Sequence, residues 1–73
     1  MGKRGGQITN RVREMRASVG GMTQQQLADF VGVTRQTVNA IEANKYSPSL
    51  EVAFRISRVL GVSLEDVFGF EEG

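Results

Sequence analysis

Thr23–Asn44, TQQQLADFVGVTRQTVNAIEAN, decides how the rest of the chain folds. Its apolar residues (Leu27, Ala28, Phe30, Val31, Val33, Val38, Ile41) form two helical sets broken at Gly32, the pattern of two short helices meeting at a tight turn. Thr23 stands three residues before Gln26, the spacing of a capping box in which each side chain bonds the other residue's backbone N–H. A helix is predicted over Gln24–Val31. Leu27 and Val31 lie one turn apart on its buried side, and Ala28 is small enough to admit a crossing helix. Gly32 follows where the chain turns left-handed, which costs a glycine no Cβ clash. Val33 plugs the corner, Thr34 caps a second helix, Arg35–Ala43, and Asn44 is its expected left-handed terminator.

At about 100° per residue, Val38 and Ile41 set the inward direction of the second helix, and Gln36, Asn39, Ala40 and Ala43 point away from it. A solvated face is ordinarily charged, whereas this one offers amides and small side chains, with Arg35 at its flank. Such groups match base edges in a DNA major groove: amides for adenine, arginine for guanine, alanine for the thymine methyl. An ordinary polar helix surface is the competing reading. The capping box, Ala28 and Gly32 within the same stretch favour DNA reading.

The stretch resembles the Cro and lambda-repressor type of helix-turn-helix regulator, the XRE class. The resemblance rests on Thr23-Gln24-Gln25-Gln26-Leu27-Ala28, on Gly32-Val33-Thr34-Arg35-Gln36-Thr37-Val38, and on Ile41-Glu42 running into Asn44-Lys45-Tyr46-Ser47-Pro48-Ser49-Leu50-Glu51. It extends from Ile8 to Phe68 and is strongest to small stand-alone regulators. It implies an all-α, five-helix, lambda-repressor-like DNA-binding domain whose helices 2 and 3 make the helix-turn-helix.

Seventy-three residues make one domain, and a domain this small is marginal alone, so an oligomer is expected. With no cysteine and no histidine there is no disulfide framework and no usual zinc set, and no cofactor is implied. No apolar run suits a signal peptide or membrane span, so a cytoplasmic protein is expected. The net charge of +1 conceals an asymmetry. Lys3, Arg4, Arg11, Arg13, Arg16, Arg35 and Lys45 outnumber Glu14, Asp29 and Glu42 in residues 1–48. In residues 49–73, Glu51, Glu65, Asp66, Glu71 and Glu72 outnumber Arg55 and Arg58. A basic front and an acidic back suit a module that meets phosphate on one side.

Upstream of the corner, Ile8, Val12, Met15 and Val19 form one stripe, predicting a first helix over about Thr9–Val19 with Arg11 and Arg13 in solvent or near phosphate. Residues 1–7 read as a flexible arm in which Lys3 and Arg4 follow phosphate or enter a minor groove, or as a solvated tail. Glu42 lies about 70° from the inward direction, half buried and in need of a partner. The family resemblance supplies one: an arginine near the end of the first helix, here Arg16, in a structural pair with Glu42. Gly20-Gly21-Met22 makes this linker one residue longer than the common family spacing.

Downstream, Pro48 bars helix continuation, and Ser49, or Ser47 with Pro48 in the first turn, caps a fourth helix over about Leu50–Leu60. Leu50, Ala53, Ser57 and Leu60 are expected to face the core, while Val52, Ile56 and Val59 make a second stripe. Gly61 ends the helix, Val62 plugs the next corner, and Ser63 with Asp66 opens a short fifth helix, Leu64–Phe68. Val52, Ile56, Val59, Val67, Phe68 and Phe70 read as a two-fold dimer contact, against the alternative that Phe68 caps its own core and Phe70 is loose. Residues 8–68 form the domain and 69–73 a tail; whether 1–7 and 69–73 are ordered or pair as a short strand is open at this level.

The residues and the resemblance together predict a homodimeric regulator that binds an inverted repeat of double-stranded DNA through major-groove recognition helices, and the resemblance implies that it represses by occluding a promoter. Arg35 and Gln36 lead the base readers, followed by Asn39, Ala40 and Thr37. Gln24 and Arg11 are expected phosphate contacts. The resemblance adds Lys45, Asn44 and Tyr46 in the backbone-gripping loop, Tyr46 otherwise packing its ring beneath it. The rival is a protein-interaction module, such as the antitoxin half of a toxin–antitoxin pair, with the apolar stripe and Phe70 tail binding an unknown partner protein. An enzyme is disfavoured, because histidine, cysteine, clustered carboxylates and a phosphate-binding loop are all missing.

Overall fold

The local signals around Gly32 act as the residue types require. In the computed structural model, which describes residues 6–72, Thr23 Oγ1 accepts from the Gln26 N–H at 3.0 Å and Gln26 Oε1 accepts from the Thr23 N–H at 2.9 Å. This box opens a helix at Gln24–Val31, and Gly32 ends it at φ 86°. Thr34 Oγ1 accepts from the Thr37 N–H at 3.1 Å and opens the helix Arg35–Glu42. That helix closes one residue earlier than expected, with Ala43 as its cap and Asn44 left-handed at φ 59°.

In chain order the elements are β1 Gly6–Asn10, α1 Val12–Ser18, α2 Gln24–Val31, α3 Arg35–Glu42, α4 Leu50–Leu60, α5 Leu64–Val67 and β2 Phe68–Glu72. Five helices are present, but the all-α expectation needs correction. β1 and β2 pair antiparallel with Gly6 opposite Glu72, Ile8 opposite Phe70 and Asn10 opposite Phe68. The strands run across the divisions placed after residues 7 and 68, so the expected arm and tail each contribute to one ribbon. The arm residues Lys3 and Arg4 lie outside the described residues.

The expected first helix loses a turn at its start for a specific reason. Asn10 Oδ1 accepts from the Val12 N–H at 3.1 Å and its Nδ2 donates to the Ile41 carbonyl at 2.9 Å, fixing where α1 can begin. Ile8, read as part of a helical stripe, is instead a strand residue beside Phe70. A Cβ on Gly6 would collide with the Cζ tip of the Phe70 ring, so this glycine makes room for an aromatic neighbour from the opposite strand.

The core is one cluster: Val12 from α1, Leu27, Ala28 and Val31 from α2, Val38 and Ile41 from α3, Ile56 and Leu60 from α4, and Val67 from α5. Val33 and Val62 pack against it from the two corners. Two assignments on α4 change. Ile56, read as a dimer residue, is fully buried, and Leu50, read as core, is 66% exposed. The small side chains of Ala53 and Ser57 put the packed face between the two expected stripes, so Ile56 falls inside and Leu50, in the first turn, stands beyond the neighbouring helices. Val67, also read as a dimer residue, is buried at the end of α5. Arg55 adds an unforeseen tie: its Nη1 donates to the Val31 carbonyl at 3.3 Å, at the C-terminal end of α2.

Candidate nucleic-acid interface

α3 presents its outward face beside the N-terminus of α2. Arg35, Gln36 and Asn39 are exposed, while Thr37 and Ala40 are half buried. The Thr37 hydroxyl shares a 3.0 Å hydrogen bond with the Thr34 hydroxyl, so it serves the cap as well as the surface. Arg35 shares an open hollow with Arg16, Gly21, Met22, Thr23, Gln24 and Gln25, which brings its guanidinium, unpaired among the described residues, to the start of α2. The backbone N–H groups of Gln24 and Gln25 have no partner there among the described residues, and such orphan donors suit an anion.

α3 is held in place by a pair that spans the chain. Arg16 Nε donates to Glu42 Oε2 at 2.7 Å, its Nη2 donates to Glu42 Oε1 at 3.0 Å, and its Nη1 donates to the Met22 carbonyl at 2.7 Å. Their side chains are 14% and 7% exposed, so the two charges are largely withdrawn from water and bonded bidentately. Gly20 and Gly21, both at positive φ, absorb the additional linker residue without moving Arg16 out of reach.

Gln24 enters the same network. Its Nε2 donates to Glu42 Oε1 at 3.1 Å and to Asn39 Oδ1 at 3.3 Å. Both amide protons are engaged, so an anion at this end of α2 meets backbone N–H groups rather than this side chain.

The loop after α3 is built by comparable means. Lys45 donates its backbone N–H to the Ala40 carbonyl at 2.9 Å, and its ammonium-bearing side chain stays exposed. Asn44 Oδ1 accepts from Asn10 Nδ2 at 2.9 Å, which turns the Asn44 amino group outward as a donor. Tyr46 is 53% exposed and lines a hollow of about 180 Å³ with Pro48, Phe68, Phe70 and β1 residues, so its ring is not packed beneath the loop. Asn10 joins the ribbon to the end of α3, and no periodicity in the sequence marks it for that role.

The remaining cations divide. Arg13 shares a hollow with Asn39, Glu42 and Ala43 on the α3 side. Arg11 pairs with Glu14 at 2.9 Å and shares a hollow with Glu65 and Asp66, an acidic setting beside α5. Of the two, Arg13 is the cation on the α3 side. Among the described residues no group of three acidic, histidine or cysteine side chains could hold a metal, and no helix is long and apolar enough to cross a membrane.

A short capped helix following a tight turn from its neighbour, with amides and an exposed arginine on its outer face, defines a helix-turn-helix DNA-binding domain. Comparison with known proteins agrees: the family model described as helix-turn-helix matches residues 12–67. The chain is 48% identical over 65 residues to an uncharacterized HTH-type transcriptional regulator of Archaeoglobus fulgidus, covering 89% of this chain and 91% of that one. It is 49% identical over 65 residues to the uncharacterized HTH-type transcriptional regulator YgzD of Bacillus subtilis, covering 89% and 97%. A similar regulator of Methanothermobacter thermautotrophicus is 52% identical over 62 residues, covering 84% and 88%. The chain belongs to the helix-turn-helix transcriptional regulators of the Cro and lambda-repressor type, the XRE class.

Proposed function

We propose that this regulator is a sequence-specific homodimer that binds an inverted repeat and represses by occluding the promoter. The observation that carries this reading is the outer face of α3, where Arg35, Gln36 and Asn39 are exposed together beside the orphan amides of α2. Arg35 and Gln36 are the principal base readers, with Asn39, Ala40 and Thr37 beside them. Lys45, Asn44 and the start of α2 fix register on the phosphates, and Arg13 takes the place first given to Arg11.

The dimer contact is narrower at α4 and broader at the ribbon than the sequence stripe implied. Ile56 and Val67 are spent on the protomer's own core. Phe70 is 61% exposed, and an apolar hollow of about 250 Å³ joins Ile8, Pro48, Leu50, Ala53, Leu64 and Phe68. Val52, Val59 and Phe68 are half buried at its margins or against the core. A second copy related by a two-fold axis covers this surface and sets two α3 helices about 34 Å apart, the spacing of successive major grooves.

Selection from a random duplex library at about 150 mM salt, near physiological ionic strength, tests both parts. Enrichment of an inverted repeat with half-sites about one helical turn apart is the expected result. Bulk, salt-sensitive binding without enrichment would move the weight to the partner-protein module, with Leu50 and Phe70 meeting a different chain.

A further inference from the structure

Two paired strands alone are marginal in water, because they leave both faces and both edges to solvent. The ribbon is such a pair, and among the described residues β2 is the one element along which β1 packs at any length. The hydrogen bonds that tie β1 to the end of α3 come from a single side chain: Asn10 Nδ2 donates to the Ile41 carbonyl and to Asn44 Oδ1, both at 2.9 Å. Ile41 lies in the last turn of α3, and Asn44 opens the loop proposed to grip phosphate. The end of the recognition helix is thus tied to a segment that has little of its own to rest on.

Ile8 and Phe70 share one face of the ribbon, with Asn10 and Phe68 next along it. That face and its surroundings are open: Ile8, Tyr46, Leu50, Phe54 and Phe70 are 36 to 66% exposed, Phe54 standing one turn beyond Leu50 on α4. Asn10, Ile41 and Asn44 line the same hollow as Tyr46 and Phe70, so the tie to α3 lies at this surface. None of these side chains is charged, and a two-fold axis can lay the surface on its own copy without like-charge repulsion. At about 150–250 Å² for a whole aromatic side chain, the five exposed residues offer roughly 500 Å² per protomer, and two copies reach about 1,000 Å², the least a specific interface needs. We propose that a second copy laid on this face holds the ribbon closed and that Asn10 passes the closure to α3, so that each DNA half-site is complete only in the dimer. The inference rests on the dimer proposed above and adds that partner and DNA bind as one linked equilibrium: a lone protomer grips even a single half-site less well.

Charged variants of the full chain test it. Leu50→Glu, Leu50→Lys and, from the ribbon side, Phe70→Glu set like charges against each other across the two-fold axis and are expected to give monomers in sedimentation. In those monomers the backbone amides of residues 6–10 and 68–72 exchange with solvent faster than in the wild type, while those of Val31 and Ile56 stay slow. On a duplex carrying one half-site of the selected repeat, both Leu50 variants bind about tenfold more weakly than the wild type, the usual scale of coupling between two sites. Their opposite charges separate this loss from a field effect on the DNA. Adding Asn10→Ala to Leu50→Lys weakens half-site binding no further, because the tie it removes is already slack. Ribbon amides still protected in the monomers, wild-type half-site affinity, additive losses in the double variant, or dimers that survive all three charged variants would each overturn the inference alone. A monomeric wild type, or one that enriches no repeat, would overturn the proposed function and this inference with it.

Discussion

The corner at residues 23–44 and the ribbon of β1 and β2 obey different rules. The caps and the turn at the corner act over three or four residues: Thr23 with Gln26, Thr34 with Thr37, Gly32 with Ala28. The ribbon joins residues from opposite ends of the chain, Gly6 with Glu72 and Ile8 with Phe70. Short-range devices are written in adjacent residue types, whereas strand pairing depends on which distant segment is brought alongside. The two regions meet at Asn10, whose amide touches both Ile41 and Asn44 at the end of α3. The ribbon is therefore tied to the end of α3 even though it lies outside the corner.

The largest expected effect breaks the corner from behind. Arg16→Met leaves the largely buried Glu42 without its counter-ion, and the loss should be about 3 to 5 kcal/mol, read by urea denaturation. A smaller loss would place the hold on α3 elsewhere, in Gln24 and the core. Next, Ile56→Ala and Phe70→Ala separate protomer core from ribbon surface. Ile56→Ala should lower stability by about 2 to 5 kcal/mol. Phe70→Ala should leave the stability of the protomer within about 0.5 kcal/mol and instead shift the dimer toward monomer in sedimentation. Reversal of the two outcomes would return Ile56 to the interface.

On the DNA side, Arg35→Ala should cost about 1 to 3 kcal/mol on the preferred site and relax its sequence, while Lys45→Ala weakens all sequences alike and lowers the salt slope by about one charge. Like behaviour of the two on specific and random duplexes would end the division between base and phosphate contacts. The finest comparison is Asn10→Ala, which removes three hydrogen bonds at the junction and should cost about 1 to 2 kcal/mol of stability. With the ribbon bracing α3, site affinity falls with it; unchanged affinity would leave the ribbon only its proposed dimer contact.

The choice of Ser49 over Ser47 as the cap of α4 came with the structure, while from its residues alone the chain determined the caps and turn of the corner, the cap at Ser63 and the left-handed Asn44. Each depends on side chains that reach only their own backbone or the next turn, so residue type and spacing suffice. The stripe on α4 was legible as apolar, but its inner edge was not, because the depth of Ile56 depends on how α2 and α5 dock on α4. Leu50 and Ile56 exchanged places for that reason. Arg55 at the end of α2, Asn10 between ribbon and α3, and the engaged amide of Gln24 left no periodic signal. Their partners lie 15 to 34 residues away, and only packing the helices brings those groups within hydrogen-bond reach.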